Sequence, residues 1–150
     1  MTADNQEPKF LDDYLAYLLA RASHMVSEDF SPTLKANDID RAQWRILASL
    51  SDLDNVAIGR LARIVLLKQP TLTKVLDRME KDNLILRQHS REDRRSVKIA
   101  ITETGRQKVQ DLVTEAKAHE KKILETYSSD EQEDLKNTLK TLISRLNDLR

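Results

Sequence analysis

The sequence predicts a mainly α protein (α+β overall) with one small β element, on three observations. Only 2 Gly and 3 Pro occur among 150 residues, a composition that favours long uninterrupted helices over a turn-rich β fold. Apolar residues recur at three- and four-residue spacing through most of the chain. The exception is H-S-R-E-D-R-R-S-V-K-I-A-I-T-E-T-G, residues 89–105, where Val97, Ile99 and Ile101 alternate with Lys98, Ala100 and Thr102 in the two-residue period of a strand.

The elements follow in order. Residues 8–29 are expected to form a helix, with Pro8 in its first turn and Phe10, Leu11, Tyr14, Leu15, Leu18, Leu19, Ala22 and Met25 on its apolar stripe. Ser31-Pro32 is expected to break it. Asp40 is a good N-cap for a second helix, Arg41 to Leu50, with Trp44, Leu47 and Ala48 turned inward. Two short helices come next, Ile58 to about Leu66 and Gln69 to about Asp82. Leu67-Lys68-Gln69 forms the turn between them, and Asn83 suits the left-handed position that ends a helix. Leu84 to His89 and Val97 to Thr102 are then expected to pair as a hairpin.

A helix-turn-helix followed by a hairpin is the order of a winged helix, in which the second short helix can lie in a DNA major groove. Thr102 is a fitting N-cap for a further helix, Arg106 to about Tyr127. Ser129 with Gln132 or Glu133 resembles a capping box for the last helix. That helix spaces Leu135, Leu139, Leu142, Leu146 and Leu149 as a heptad seam. Packing on the protomer's own core is one use of such a seam. The expectation is a homodimer, because the long terminal helices carry more apolar stripe than a protomer of this size can bury. Residues 8–30 and 106–150 are thus read as dimerisation helices around a winged helix-turn-helix lobe, residues 40–105.

Charge is distributed unevenly. Net charge is zero, yet residues 60–108 hold 13 Lys/Arg against 6 Asp/Glu, leaving 12 against 19 elsewhere. A basic middle between acidic flanks suits a surface meant for a polyanion. The chain has no cysteine, which excludes disulfides, thiolate metal sites and thiol-based redox sensing. No apolar run serves as a signal peptide or reaches membrane-spanning length, so no membrane partner and a cytoplasmic location are expected. His24, His89 and His119 are scattered, with no nucleophile–base pair, phosphate loop or metal-spaced cluster. The chain is therefore expected not to be an enzyme and to carry no metal or cofactor.

Duplex DNA demands several Lys/Arg on one face for phosphates and short polar side chains for base edges. The helix opening at Gln69-Pro70-Thr71 offers both kinds, with Gln69, Thr71, Thr73 and Lys74 in its first turns and Arg78 and Lys81 further along. The turn of the hairpin adds Ser90, Arg91, Asp93, Arg94 and Arg95, with Arg106 just beyond. An arginine at such a turn can enter the electronegative minor groove. Asp93 could hold the Arg95 guanidinium extended through a charge-assisted bond. Against this reading stands a winged-helix module for protein or RNA contact without operator specificity.

The stretches Q-P-T-L-T-K-V-L-D-R-M-E-K-D-N-L-I-L-R and D-R-R-S-V-K-I-A-I-T-E-T-G, in that order of elements, resemble the MarR family of bacterial transcription regulators over nearly the whole chain. The resemblance implies a homodimer on double-stranded DNA at a pseudo-palindromic operator. It further implies a repressor, released from DNA by a small aromatic or phenolic acid. By position, the second short helix would be the recognition helix, Arg95 the minor-groove arginine and Asp93 its positioning partner. Asn83 stands where the family usually has Gly, and Ile101 where Leu is usual. The absence of Cys places the family's peroxide-sensing branch out of reach. An effector pocket between the dimerisation helices and the lobe would draw on Tyr17, Arg21, His24, Trp44 and Arg45, an aromatic wall with a clamp for a carboxylate. Three of them also have a plainer reading, with Trp44 in the core, His24 on the surface or at an interface and Arg45 in an ion pair.

Overall fold

The computed structural model describes residues 9–93 and 95–150. Pro8 and Arg94 lie outside the described residues. The chain divides into two compact units, residues 1–113 and 114–150.

The first unit opens with a 3-10 turn, Phe10–Asp13, and an extended Tyr14. Helix α1, Leu15–Ala36, follows. The single helix expected over residues 8–29 is thus a short turn plus a helix that runs past Ser31-Pro32. Proline in a helix interior costs about 3 kcal/mol. Phe30 and Leu34, either side of Pro32, are both buried, and each such burial contributes roughly 1.5–3 kcal/mol, enough to carry the helix through. α1 ends where Asp38 turns left-handed (φ 56°) and the Ile39 N–H reaches back to the Leu34 carbonyl at 3.0 Å.

Helix α2, Arg41–Asp52, starts on a complete capping box. The Gln43 N–H donates to the Asp40 carboxylate at 2.9 Å, and the Asp40 N–H donates to the Gln43 side-chain oxygen at 3.0 Å. The buried face of α2 is Gln43, Ile46, Leu47 and Leu50, so of the expected Trp44, Leu47 and Ala48 only Leu47 is fully buried. Trp44 is half-buried, its ring 5.9 Å from that of Phe30. The inward line runs one position round from the one read off the spacing because the buried cap residue Gln43 leads it.

Strand β1, Val56–Ala57, leads directly into helix α3, Ile58–Val65, and helix α4 spans Gln69–Lys81. The turn between them hinges on Leu66, left-handed at φ 61°, with the Leu67 N–H closing on the Ala62 carbonyl. Gln69 belongs to α4 and not to the turn. Just past the end of α4, Asn83 is left-handed as expected (φ 59°), with the Leu84 N–H on the Met79 carbonyl.

Strands β2, Ile85–His89, and β3, Val97–Ile101, form the hairpin, and β1 joins it to make an antiparallel sheet ordered β1-β3-β2. The pairs Ile85↔Ile101 and His89↔Val97 fix the hairpin register, and Val56↔Ile99 fixes β1. Ile99 and Ile85 enter the core beside Leu61, Val65, Leu72, Leu76 and Met79. Helix α5, Glu103–Ile123, opens earlier than Arg106 because Thr102 caps it, accepting from the Gly105 N–H at 3.0 Å. The same hydroxyl donates to the Asn83 carbonyl at 2.6 Å. A Cβ at Gly105 would sit 2.3 Å from the Leu84 carbonyl oxygen. That close approach is what the glycine permits.

The second unit holds the end of α5 and helix α6, Ser129–Asp148. The capping box of α6 is Ser128 with Glu131, not Ser129 with Gln132 or Glu133. Ser128 N–H donates to the Glu131 carboxylate at 2.7 Å and Glu131 N–H to the Ser128 hydroxyl at 3.2 Å. Gln132 is spent elsewhere, its amide donating to the Leu124 and Tyr127 carbonyls that close α5 at Ile123 instead of Tyr127. No residue of α6 is buried, and Leu135, Leu139, Ile143, Leu146 and Leu149 are all exposed.

Candidate nucleic-acid interface

The alternation of α4 separates two faces. Leu72, Val75, Leu76 and Met79 are buried, so Gln69, Pro70, Thr71, Thr73, Lys74 and Arg78 face outward together. Lys68 at the N-cap supplies no side-chain acceptor, so the first-turn amides of α4 stay open to an anion such as a phosphate. The Thr73 hydroxyl donates to the Gln69 carbonyl at 2.9 Å, leaving its lone pairs and methyl group for an outside partner. Gln69 is turned partly back on α3, its side-chain nitrogen 3.0 Å from where a Cβ on Gly59 would stand. Arg78 reaches Asp40 at 3.8 Å in an exposed pair. Such a pair is worth well under about 1 kcal/mol, weak enough to yield to a phosphate.

The wing turn is shaped by its own side chains. The Ser90 hydroxyl accepts from the Glu92 and Asp93 N–H groups, and the main chain closes from Ser90 to Ser96 and from Ser96 to Asp93. Arg91 and Arg95 are exposed on it. Asp93 was expected to grip the Arg95 guanidinium. Its carboxylate instead accepts from the Arg95 main-chain N–H at 2.9 Å, an Asx-turn that bends the backbone. A short aspartate two residues ahead reaches the amide more directly than the end of a long side chain.

Arg87 is the residue the sequence reading missed. It lies on β2, mostly buried, with its guanidinium 2.7 Å from Asp77 and 3.7 Å from Glu80, and it donates to the Thr73 carbonyl at 3.2 Å. A signal existed. Arg87 is two residues from buried Ile85, so the strand period points a charge inward, where it needs partners.

The effector candidates fall in two places. Tyr17, Arg21 and His24 are on α1, with Tyr17 half-buried and the other two exposed, while Trp44 and Arg45 are on α2, Trp44 against Phe30. A separate open cleft of about 220 Å³ is lined by Leu53, Asp54, Asn55, Gln88, Ala100, Ile101 and Arg106. Among the described residues no three His, Asp or Glu side chains gather as a metal-binding group, and no helix is long and apolar enough to cross a membrane.

A helix-turn-helix with a polar and basic outer face, followed by an arginine-bearing two-stranded wing, defines a winged helix-turn-helix DNA-binding protein. The MarR family profile matches residues 39–97. A MarR family transcriptional regulator from Silicibacter pomeroyi DSS-3 is 32% identical, the match covering 93% of this chain and 99% of that one with a TM-score of 0.83. The transcriptional repressor CouR of Rhodococcus jostii RHA1, solved bound to a 23-mer DNA duplex, is 28% identical over 91% of this chain and 99% of its own (TM-score 0.79). NadR, solved in complex with 4-hydroxyphenylacetate, is 25% identical over 95% of this chain and 97% of its own (TM-score 0.78). The chain belongs to the MarR family, and it is a DNA-binding transcription regulator.

Proposed function

We propose that the protein is a homodimeric repressor acting in the cytoplasm on a pseudo-palindromic operator. The observation that carries this reading is the pairing of two DNA-facing surfaces in one compact unit. These are the outer face of α4 (Gln69, Pro70, Thr71, Thr73, Lys74 and Arg78) and the wing turn (Ser90, Arg91, Asp93, Arg95 and the adjoining Arg94). α4 would read the major groove, and Arg95 would enter the minor groove beside it. Residues 8–30 and 106–150 would form the dimer interface. Support comes from the apolar residues exposed on both, Leu15, Leu18 and Leu19 on α1 and Leu139, Ile143 and Leu146 on α6. Two lobes related by a dyad would then meet half-sites about one helical turn apart.

A small aromatic carboxylate would release the operator, bound by Tyr17, Arg21, His24, Trp44 and Arg45. The chemistry of these residues and the 4-hydroxyphenylacetate bound by NadR support this part. Binding to duplexes from a random-sequence selection, measured over a salt series, tests the reading. A two-fold symmetric consensus whose affinity falls steeply with salt is expected. Equal affinity for every duplex, or no dependence on salt, would sink it. Thermal-shift screening with aromatic carboxylates tests the effector, and a true effector both stabilises the protein and releases the selected duplex.

A further inference from the structure

We propose that Arg87 is the positioning residue that aims α4 for sequence reading, an inference that rests on the operator-binding function above. Burial of Leu72, Val75, Leu76 and Met79 sets how deeply α4 is seated in the lobe. Apolar packing is non-directional and leaves small rotations of a helix about its axis cheap. The outer flank of α4 is held by directional bonds, and they converge on Arg87. One nitrogen of its guanidinium meets Asp77 at 2.7 Å and the Thr73 carbonyl at 3.2 Å. The other nitrogen is 3.7 Å from Glu80, and the Arg87 main-chain N–H donates to the same carboxylate at 3.3 Å. A planar guanidinium with fixed donor directions ties these groups in one geometry, which an ammonium cannot do.

The tie has two consequences for reading DNA. Thr73 neighbours Lys74 and lies one turn from Gln69 and Pro70, so the anchored carbonyl belongs to the part of α4 that meets bases. Asp77 and Glu80 are the acidic side chains of α4, and both would oppose phosphates if left unpaired. Arg87 also sits on β2, two residues before His89 at the root of the wing turn. The reading helix and the wing therefore share one fastening, and their relative pose depends on it.

The experiment compares affinity for a duplex selected by the wild-type protein from a random-sequence library with affinity for a shuffled duplex of equal length. Arg87→Gln should lose about tenfold on the selected duplex and no more than about twofold on the shuffled one. Arg87→Lys keeps the charge and should still lose several-fold in the ratio of the two affinities. Arg87→Gln combined with Asp77→Asn separates aiming from neutralisation, since the charge balance returns while the tie does not, and the lost ratio should stay lost. Equal losses on both duplexes that Asp77→Asn restores would make Arg87 a counter-charge and overturn the proposal. So would a lysine variant with the wild-type ratio. A wild-type protein that enriches no duplex fails the operator reading itself, and the inference falls with it.

Discussion

The carboxylate of Asp93 accepts a hydrogen bond from the main-chain N–H of Arg95 at 2.9 Å, so the acid in this arginine-rich turn shapes its backbone. That role and the expected grip on the Arg95 guanidinium separate under substitution. Asp93→Asn keeps a side-chain oxygen for the amide, whereas Asp93→Ala removes it. Asp93→Ala is expected to weaken binding to a selected duplex about fivefold, the worth of roughly 1 kcal/mol for one hydrogen bond. Asp93→Asn should stay within about twofold. Equal losses in a titration would restore the ion-pair role.

Gly105 stands where a methyl group would meet the Leu84 carbonyl oxygen at 2.3 Å and Ile101 at 2.9 Å. The Leu84 carbonyl is backbone directly ahead of β2 and cannot yield without moving that strand, while the Ile101 contact is a side-chain carbon at the end of β3. Gly105→Ala is therefore expected to cost about 3 kcal/mol in urea unfolding, at the upper end for overpacking. A loss below half that figure would mean the backbone gives way at no great cost.

Leu66 holds a left-handed conformation while 76% exposed, so it bears strain without burying its side chain. The left-handed conformation costs an L-residue about 1–2 kcal/mol, and the extra chain entropy of glycine offsets part of the relief. Leu66→Gly is expected to raise stability by about 0.5 kcal/mol and Leu66→Ala to leave it nearly unchanged. A clear destabilisation by glycine in thermal melts would assign Leu66 a contact of its own.

The cap of α6 gives a paired test one residue apart. Ser128→Ala should cost about 1 kcal/mol, as loss of an N-cap hydroxyl does. Ser129→Ala, inside the helix, should be neutral or slightly stabilising. The reverse order in thermal melts would move the cap to Ser129.

Leu139 and Leu146 lie exposed on one stripe of α6. Leu139→Glu with Leu146→Glu should convert a dimer to a monomer by light scattering at micromolar concentration, and tight operator binding should go with it. An unchanged mass would place the interface elsewhere.

The helices were legible wherever a 3.6-residue stripe ran long enough to show, and Asp40, Asn83 and Thr102 marked their ends by local chemistry that tertiary contacts left intact. Pro32 misled because a local rule met two buried neighbours that outweighed it. β1 was invisible, since Val56 and Ala57 are too few to display a period and their pairing partner lies more than forty residues away in Ile99. The outward face of α4 could be read from its apolar stripe alone. The partners of Arg87 and the true acceptor role of Asp93 could not. Both depend on which atoms of two segments meet, and residue type does not report that.

Strand β3 is flanked on both sides at Lys98 and Ile99, where β1 reaches it, one residue short of Val97, where the hairpin ladder ends and the turn begins. A two-stranded hairpin alone is marginally stable in water, whereas a third strand stiffens it. The wing is in effect a short cantilever, clamped by that third strand one residue from where its turn begins. Arg91 and Arg95 project from the turn just past the clamp, and the helix that begins at Ile58 is tied to the wing's strands through the same third strand.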